Sequence, residues 1–205
     1  MCSSDLRGDS FQAVKNLPVG DGGALVTRSE EDFEKAKKLR WLGIDKDTYS
    51  RTSSGNIKDT YLWQYNVPYV GYKYHMNDIN AAIGIEQLKY LDKHNERRKF
   101  IADYYRDNLC GVSGVTLLDY KKDRKSSYHF YPILVEGRVN LIKKLKENDI
   151  HPGVHYFRND YYPMYKRNKL PLTERFTNQE LTLPIHLYLT DDELELIVNV
   201  VKSGW

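Results

Sequence analysis

Apolar positions along this chain change their period from segment to segment, and each change predicts an element. Residues 23–27 (Gly-Ala-Leu-Val-Thr) form a short continuous apolar run, which predicts a buried strand. Ser29 then reads as a helix cap. Glu30, Glu31 and Asp32 in the first turn, with Lys35, Lys37, Lys38 and Arg40 toward the end, complement the helix dipole, and Gly43 is a natural stop. From Asp45 to Tyr74 the pattern is irregular and rich in Tyr, Ser and Thr, which predicts mostly loop. Loops of that length are usually functional or poorly ordered. Asn77 predicts the cap of a long helix reaching Leu109. Ile79, Ala82, Ile83, Leu88 and Leu91 form one apolar stripe, Ile101, Tyr104 and Tyr105 another, and the charged run Asp92–Lys99 between them is expected to be solvated. Beyond it His129–Val135 reads as a strand, Val139–Asn148 as a helix and Gly153–Tyr156 as a strand. Thr190 and Glu193 form a capping box for a last helix, on which Leu194, Ile197, Val198 and Val201 share a face.

With 205 residues, 40% of them hydrophobic and 29% charged, the chain can build one large domain or two small ones. The net charge of +3 is spread along the chain without a block of five like charges. That distribution argues against a nucleic-acid groove, although a small nucleic-acid-binding module is the reading that the faintly basic pI of 8.6 would suggest. Two cysteines, Cys2 and Cys110, stand in no ligand spacing, so neither a disulfide framework nor a metal site is expected. No apolar run approaches the roughly 18 residues of a membrane span, and no signal-peptide pattern opens the chain. The expectation is a soluble, cytoplasmic protein without a membrane partner. The opening residues look foreign: Cys2-Ser3-Ser4-Asp5-Leu6 is what TGC TCT TCC GAT CT encodes, a sequence similar to a sequencing-adapter end. The true chain is therefore expected to have been cut near Arg7, with the adapter translated in place of what preceded it.

The segment that bears on chemistry is Ser10-Phe11-Gln12-Ala13-Val14-Lys15, followed by Gly20-Asp21-Gly22-Gly23 and the strand. A lysine ahead of a glycine-rich turn can serve as a Schiff-base residue when its amine is desolvated. Spacing alone favours a surface lysine, because Ser-x4-Lys is too permissive a pattern. The segment resembles the active-site signature of the DegT/DnrJ/EryC1/StrS family of sugar aminotransferases. The likeness continues through Gly71-Tyr72-Lys73-Tyr74-His75-Met76-Asn77-Asp78-Ile79-Asn80-Ala81-Ala82-Ile83-Gly84, Gln87-Leu88, Arg97-Arg98, Val154-His155-Tyr156 and Leu183-Pro184-Ile185-His186. These blocks keep the family's order and cover nearly the whole chain from Ser10.

What the resemblance implies is specific. The fold would be α/β, the C-terminal part of a fold-type I enzyme dependent on pyridoxal 5'-phosphate. Residues 1–85 would close its large domain (1–6 being foreign), 86–110 would form a connecting helix and 111–205 a small α+β domain. Lys15 matches the lysine that binds the cofactor covalently and shuttles the proton between cofactor and substrate carbons. Ser10 matches the serine that hydrogen-bonds the cofactor phosphate. Lys73 stands where many members have an asparagine that reaches the phosphate in the neighbouring subunit; a lysine there could meet it as a point charge or simply be solvated. His155 could approach the substrate or be a packed histidine. Tyr156, Tyr161, Tyr162 and Tyr165 could line a sugar-nucleotide channel or pack at an interface. Lysine rather than histidine at position 15 favours amino transfer over the related dehydration. The expected reaction moves an amino group, with glutamate as donor, to a keto group of a nucleotide-linked deoxysugar, in a homodimer. The partner carboxylate of the pyridine nitrogen precedes the lysine in the family and cannot be placed here, so this chain by itself is expected to be inactive. A non-catalytic relative of the same fold is the competing reading.

Overall fold

The chain divides into two compact units, Met1–Lys89 and Tyr90–Trp205. The computed structural model describes residues 6–45 and 65–205. Residues 1–5, nearly all of the segment read as foreign, lie outside the described residues, as does 46–64, most of the expected loop.

In the first unit β1 (Leu6–Ser10) and β2 (Gly23–Thr27) pair antiparallel, with Leu6 opposite Thr27 and Ser10 opposite Gly23. β2 falls where the apolar run predicted it but is not buried: Leu25 and Val26 are each 53% exposed. β1 carries no apolar alternation in Arg7-Gly8-Asp9, so its partner rather than its own pattern defines it. Helix α1 (Glu30–Leu39) follows its expected cap, with the Ser29 hydroxyl accepting the Asp32 amide at 3.1 Å. Gly43 closes the turn beyond it by donating its amide to the Lys38 carbonyl at 2.9 Å. Helix α2 (Asp78–Leu88) is capped by Asn77, whose side-chain oxygen accepts the Asn80 amide at 2.9 Å. Among the described residues of this unit, Val19 and Ile44 are the buried apolar side chains, while Ile79, Ile83 and Leu88 of the α2 stripe are exposed.

The single helix expected from Asn77 to Leu109 is instead two. α2 ends at Leu88, and α3 (Leu91–Leu109) begins after Lys89-Tyr90. At the break the Lys89 amide turns back to the Glu86 carbonyl at 3.3 Å, and Tyr90 offers no side-chain cap. No Gly or Pro marks this joint, so neither period nor propensity reveals it.

The second unit holds a conventional core. β3 (Val115–Leu117), β4 (Tyr131–Val135) and β5 (Glu180–Leu183) form an antiparallel sheet in that order, with β4 central. Helices α3, α4 (Arg138–Glu147), α5 (Pro171–Gln179) and α6 (Asp191–Lys202) complete it, with one turn of 3-10 helix at Asn159–Tyr161. Ile101, Tyr105 and Leu109 of α3, Ile133 of β4, Leu141 and Leu145 of α4, Leu181 and Leu183 of β5, and Leu194 and Val201 of α6 share one apolar cluster. Its α6 face is the one the 3.6-residue period predicted, and both halves of the Thr190–Glu193 capping box form.

Two expectations fail here. Gly153–Tyr156 is not a strand; its backbone pairing with the sheet is an isolated bridge between Gly153 and Thr182. Nor is the Asp92–Lys99 run uniformly solvated. Arg98 is buried and donates to the Ile185 carbonyl at 2.6 Å and, more weakly, to Tyr128 at 3.4 Å. Arg97 beside it reaches the Leu189 carbonyl at 2.6 Å and the Asp191 carboxylate at 2.9 Å. A guanidinium can span an apolar border and still find carbonyls, which a charge count along the sequence does not reveal.

Candidate active site

Lys15 lies on the 12-residue connection between β1 and β2, and the ladder of these strands continues into that connection. Phe11 donates its amide to the Gly22 carbonyl and Ala13 to that of Gly20, both at 2.9 Å. Lys15 itself closes a tight turn, its amide donating to the Gln12 carbonyl at 2.9 Å. Val19, 1% exposed, anchors the return path, and its amide donates to the Phe11 carbonyl at 2.8 Å. Helix α2 holds the same loop from outside. The Asn80 side-chain Nδ2 donates to the Asp21 carbonyl at 2.6 Å, and a Cβ on Gly84 would stand 3.0 Å from a Val19 methyl group. The loop is thus fixed by strand pairing on one side and by a helix on the other, which limits the positions open to the Lys15 backbone.

Ser10 ends β1 and is exposed. Its hydroxyl oxygen faces the Gln12 amide at 3.5 Å, a long contact that leaves the hydroxyl proton available for an acceptor. Ser10 thus stands at the start of the loop that carries Lys15. Glycines 20 and 22 of this loop adopt φ of +90° and +153°, which gives them a backbone role.

Lys73 belongs to the same unit but has a different neighbour. It bridges Trp41 across an isolated antiparallel pair, and its ammonium sits 3.2 Å from the centre of the Trp41 ring. His75 meets that ring edge-on at 4.2 Å. Burial first, then the charges of Lys73 and Arg40, hold the His75 imidazole below its ordinary range. Trp41 and His75, with Lys38 and Arg40, border a cleft of about 510 Å³. None of Ser10, Lys15, Lys73 or His155 lines it.

His155 is in the second unit, half-buried, with its ring stacked on Phe130 at 4.1 Å and the Tyr156 ring edge-on at 4.7 Å. Its Nδ1 lies 2.9 Å from the Thr182 hydroxyl, and its backbone amide donates to the Glu180 carboxylate at 2.8 Å. Sequence reasoning singled out the histidine but passed over Glu180 and Thr182. The signal was available in Glu180-Leu181-Thr182-Leu183, where polar and apolar residues alternate at the period of a strand. The tyrosine segment that follows His155 is pinned by Arg158, which is 4% exposed. Its guanidinium pairs with the Asp160 carboxylate at 2.5 Å and with that of Glu174 at 3.0 Å. Among the described residues no three His, Cys, Asp or Glu side chains gather as a metal site, and no helix is long and apolar enough to cross a membrane.

Residues 4–202 match the model of the DegT/DnrJ/EryC1/StrS aminotransferase family. The chain is 33% identical over 218 residues to UDP-4-amino-4,6-dideoxy-N-acetyl-beta-L-altrosamine transaminase of Campylobacter jejuni, a match covering 98% of this chain and 54% of that protein. Its structure superposes on the sugar aminotransferase CalS13 of Micromonospora echinospora with a TM-score of 0.86 at 28% identity, covering 98% of this chain and 52% of that one. The sugar aminotransferase Spr1654 of Streptococcus pneumoniae, described as putative and solved in both PLP and PMP forms, is also similar. Its PMP form gives a TM-score of 0.81 at 30% identity, over 97% of this chain and 52% of that one. The chain spans about half the length of each of these proteins, and its mixed α/β fold matches about half of a fold-type I sugar aminotransferase. By the extent of these matches the chain belongs to the DegT/DnrJ/EryC1/StrS aminotransferase family.

Proposed function

We propose that the protein to which this chain belongs transfers an amino group from an amino acid, glutamate, to a keto group of a nucleotide-linked deoxysugar, with Lys15 as its catalytic residue. The observation that carries this reading is the Lys15 loop, fixed between a strand pair and a helix, with Ser10 at the strand end that opens it. When bound, pyridoxal 5'-phosphate supplies an electron sink for the pair left behind when a proton leaves the amine-bearing carbon. Lys15 Nζ would hold that cofactor through its aldehyde and would serve as the base and acid that moves the proton. Ser10 Oγ donates to the cofactor phosphate. Lys73, whose ammonium lies over the Trp41 ring in the isolated chain, serves the phosphate of a neighbouring subunit as a point charge. His155 contacts the sugar substrate. The intact protein works as a cytoplasmic homodimer with residues 1–85 closing its large domain, 86–110 joining the two and 111–205 forming the small domain. The 205-residue chain alone does not turn over.

The test follows nitrogen. In a polypeptide extended upstream to the length of its relatives, the label of 15N-glutamate is expected in the sugar nucleotide by mass spectrometry. Lys15→Arg is expected to cut the rate by about 10²–10⁴-fold, the scale of a lost proton shuttle. Undiminished transfer by that variant would refute the role of Lys15.

A further inference from the structure

β5 is buried along its whole length, and its two faces do different things. Leu181 and Leu183 enter the apolar core, whereas Glu180 and Thr182, by the two-residue period of a strand, turn to the other face; the Gly153–His155 segment meets β5 at its edge through the Gly153–Thr182 bridge. Glu180 is 1% exposed, and both oxygens of its carboxylate are engaged: one accepts the His155 amide at 2.8 Å, the other the Thr182 hydroxyl at 2.6 Å. The same Thr182 oxygen lies 2.9 Å from His155 Nδ1. Arg138 of α4 donates to the backbone carbonyls of Thr177 and Glu180 and not to that carboxylate.

A hydroxyl has one proton to give, and the short bond to a carboxylate takes it. Thr182 then meets Nδ1 only as an acceptor, so Nδ1 carries the ring proton. When the imidazole is neutral, the other nitrogen is bare. We infer that Glu180 and Thr182 are positioning residues that hold His155 as its Nδ1–H tautomer and present Nε2 as a hydrogen-bond acceptor. Phe130 and Tyr156 fix the ring plane. Gly153 allows the ring to lie where it does, because a Cβ there would stand 2.6 Å from His155 Cε1. An acceptor nitrogen suits a hydroxyl donor such as a sugar carries. That use rests on the proposed transfer to a sugar; the tautomer does not.

The test is read on the 205-residue chain by 15N NMR of its histidine rings, at a pH where His155 is neutral. Nδ1 is expected in the protonated range and Nε2 in the unprotonated range. Thr182→Ser keeps the hydroxyl and should keep the pattern. Thr182→Val, similar in shape, should shift His155 toward the Nε2–H form that free histidine favours in water. Nε2–H in the unaltered chain would overturn the inference, as would an unchanged tautomer in Thr182→Val. Should the valine variant not fold, the unaltered and serine spectra decide between the two tautomers. A protein that transfers no amino group would leave these spectra as they are, so failure of the transfer reading is told apart from failure of the tautomer.

Discussion

Single residues carry much of what the sequence shows and most of what it conceals. A motif marks Lys15 and Ser10, and the structure sets one on a short loop and the other at the strand end that opens it. Arg98 was not legible. Its place in a charged run suggested solvent, whereas two carbonyls from distant segments receive it. Arg98→Ala should destabilise the second unit by about 1–3 kcal/mol, since buried carbonyls lose a charged donor, and Arg97→Ala by less. Urea unfolding of the two variants side by side checks the order. Histidine 75 gives a pH effect with a definite sign. Its folded pKa lies below the unfolded value, so the unfolded chain binds the proton more readily. Its contribution is complete above about pH 6.5 and falls as the pH drops below that value. Stability of the first unit, followed by hydrogen exchange between pH 7.5 and 5.5, should decline, and His75→Phe should flatten the slope.

At the scale of elements, caps were the dependable signals and joints were not. Ser29, Asn77 and Thr190 each cap the helix they were expected to cap, because a side-chain oxygen satisfying an otherwise unpaired amide is a local matter. The break at Lys89-Tyr90 and the loss of the Gly153–Tyr156 strand depend on what packs nearby, and no window of sequence contains that information. Thr190→Ala should cost about 0.5–2 kcal/mol by removing half of the capping box, measured as a lower Tm. A different element prediction concerns Arg158 and the tyrosine segment it pins. The guanidinium, with an amide from Asn168, holds the Asp160 carboxyl at about 2, below its usual range. The stabilisation this provides is present above the unfolded value near 3.8 and is lost as the pH falls toward 2. Asp160→Asn should therefore speed proteolysis within residues 156–170 at neutral pH and remove its acid dependence.

For the whole molecule, the two units differ in how much they bury. Residues Tyr90–Trp205 contain the apolar cluster of helices and sheet, and this piece should fold alone with a cooperative thermal transition. Residues 6–89 bury only Val19 and Ile44 among their described apolar side chains, and this piece should show no such transition. The sequence motifs identified the family without revealing that imbalance, because strand and helix periods announce an apolar face and not the surface that covers it. The central claim is that Lys15 holds the cofactor, and the most direct measurement locates the bond. The polypeptide extended upstream would be loaded with pyridoxal 5'-phosphate, reduced with borohydride and digested, and the modified peptide identified by mass spectrometry. A single adduct on Lys15, absent from Lys15→Ala, is the predicted result. No adduct, or label scattered over surface lysines, would contradict the account and leave a family fold without its chemistry.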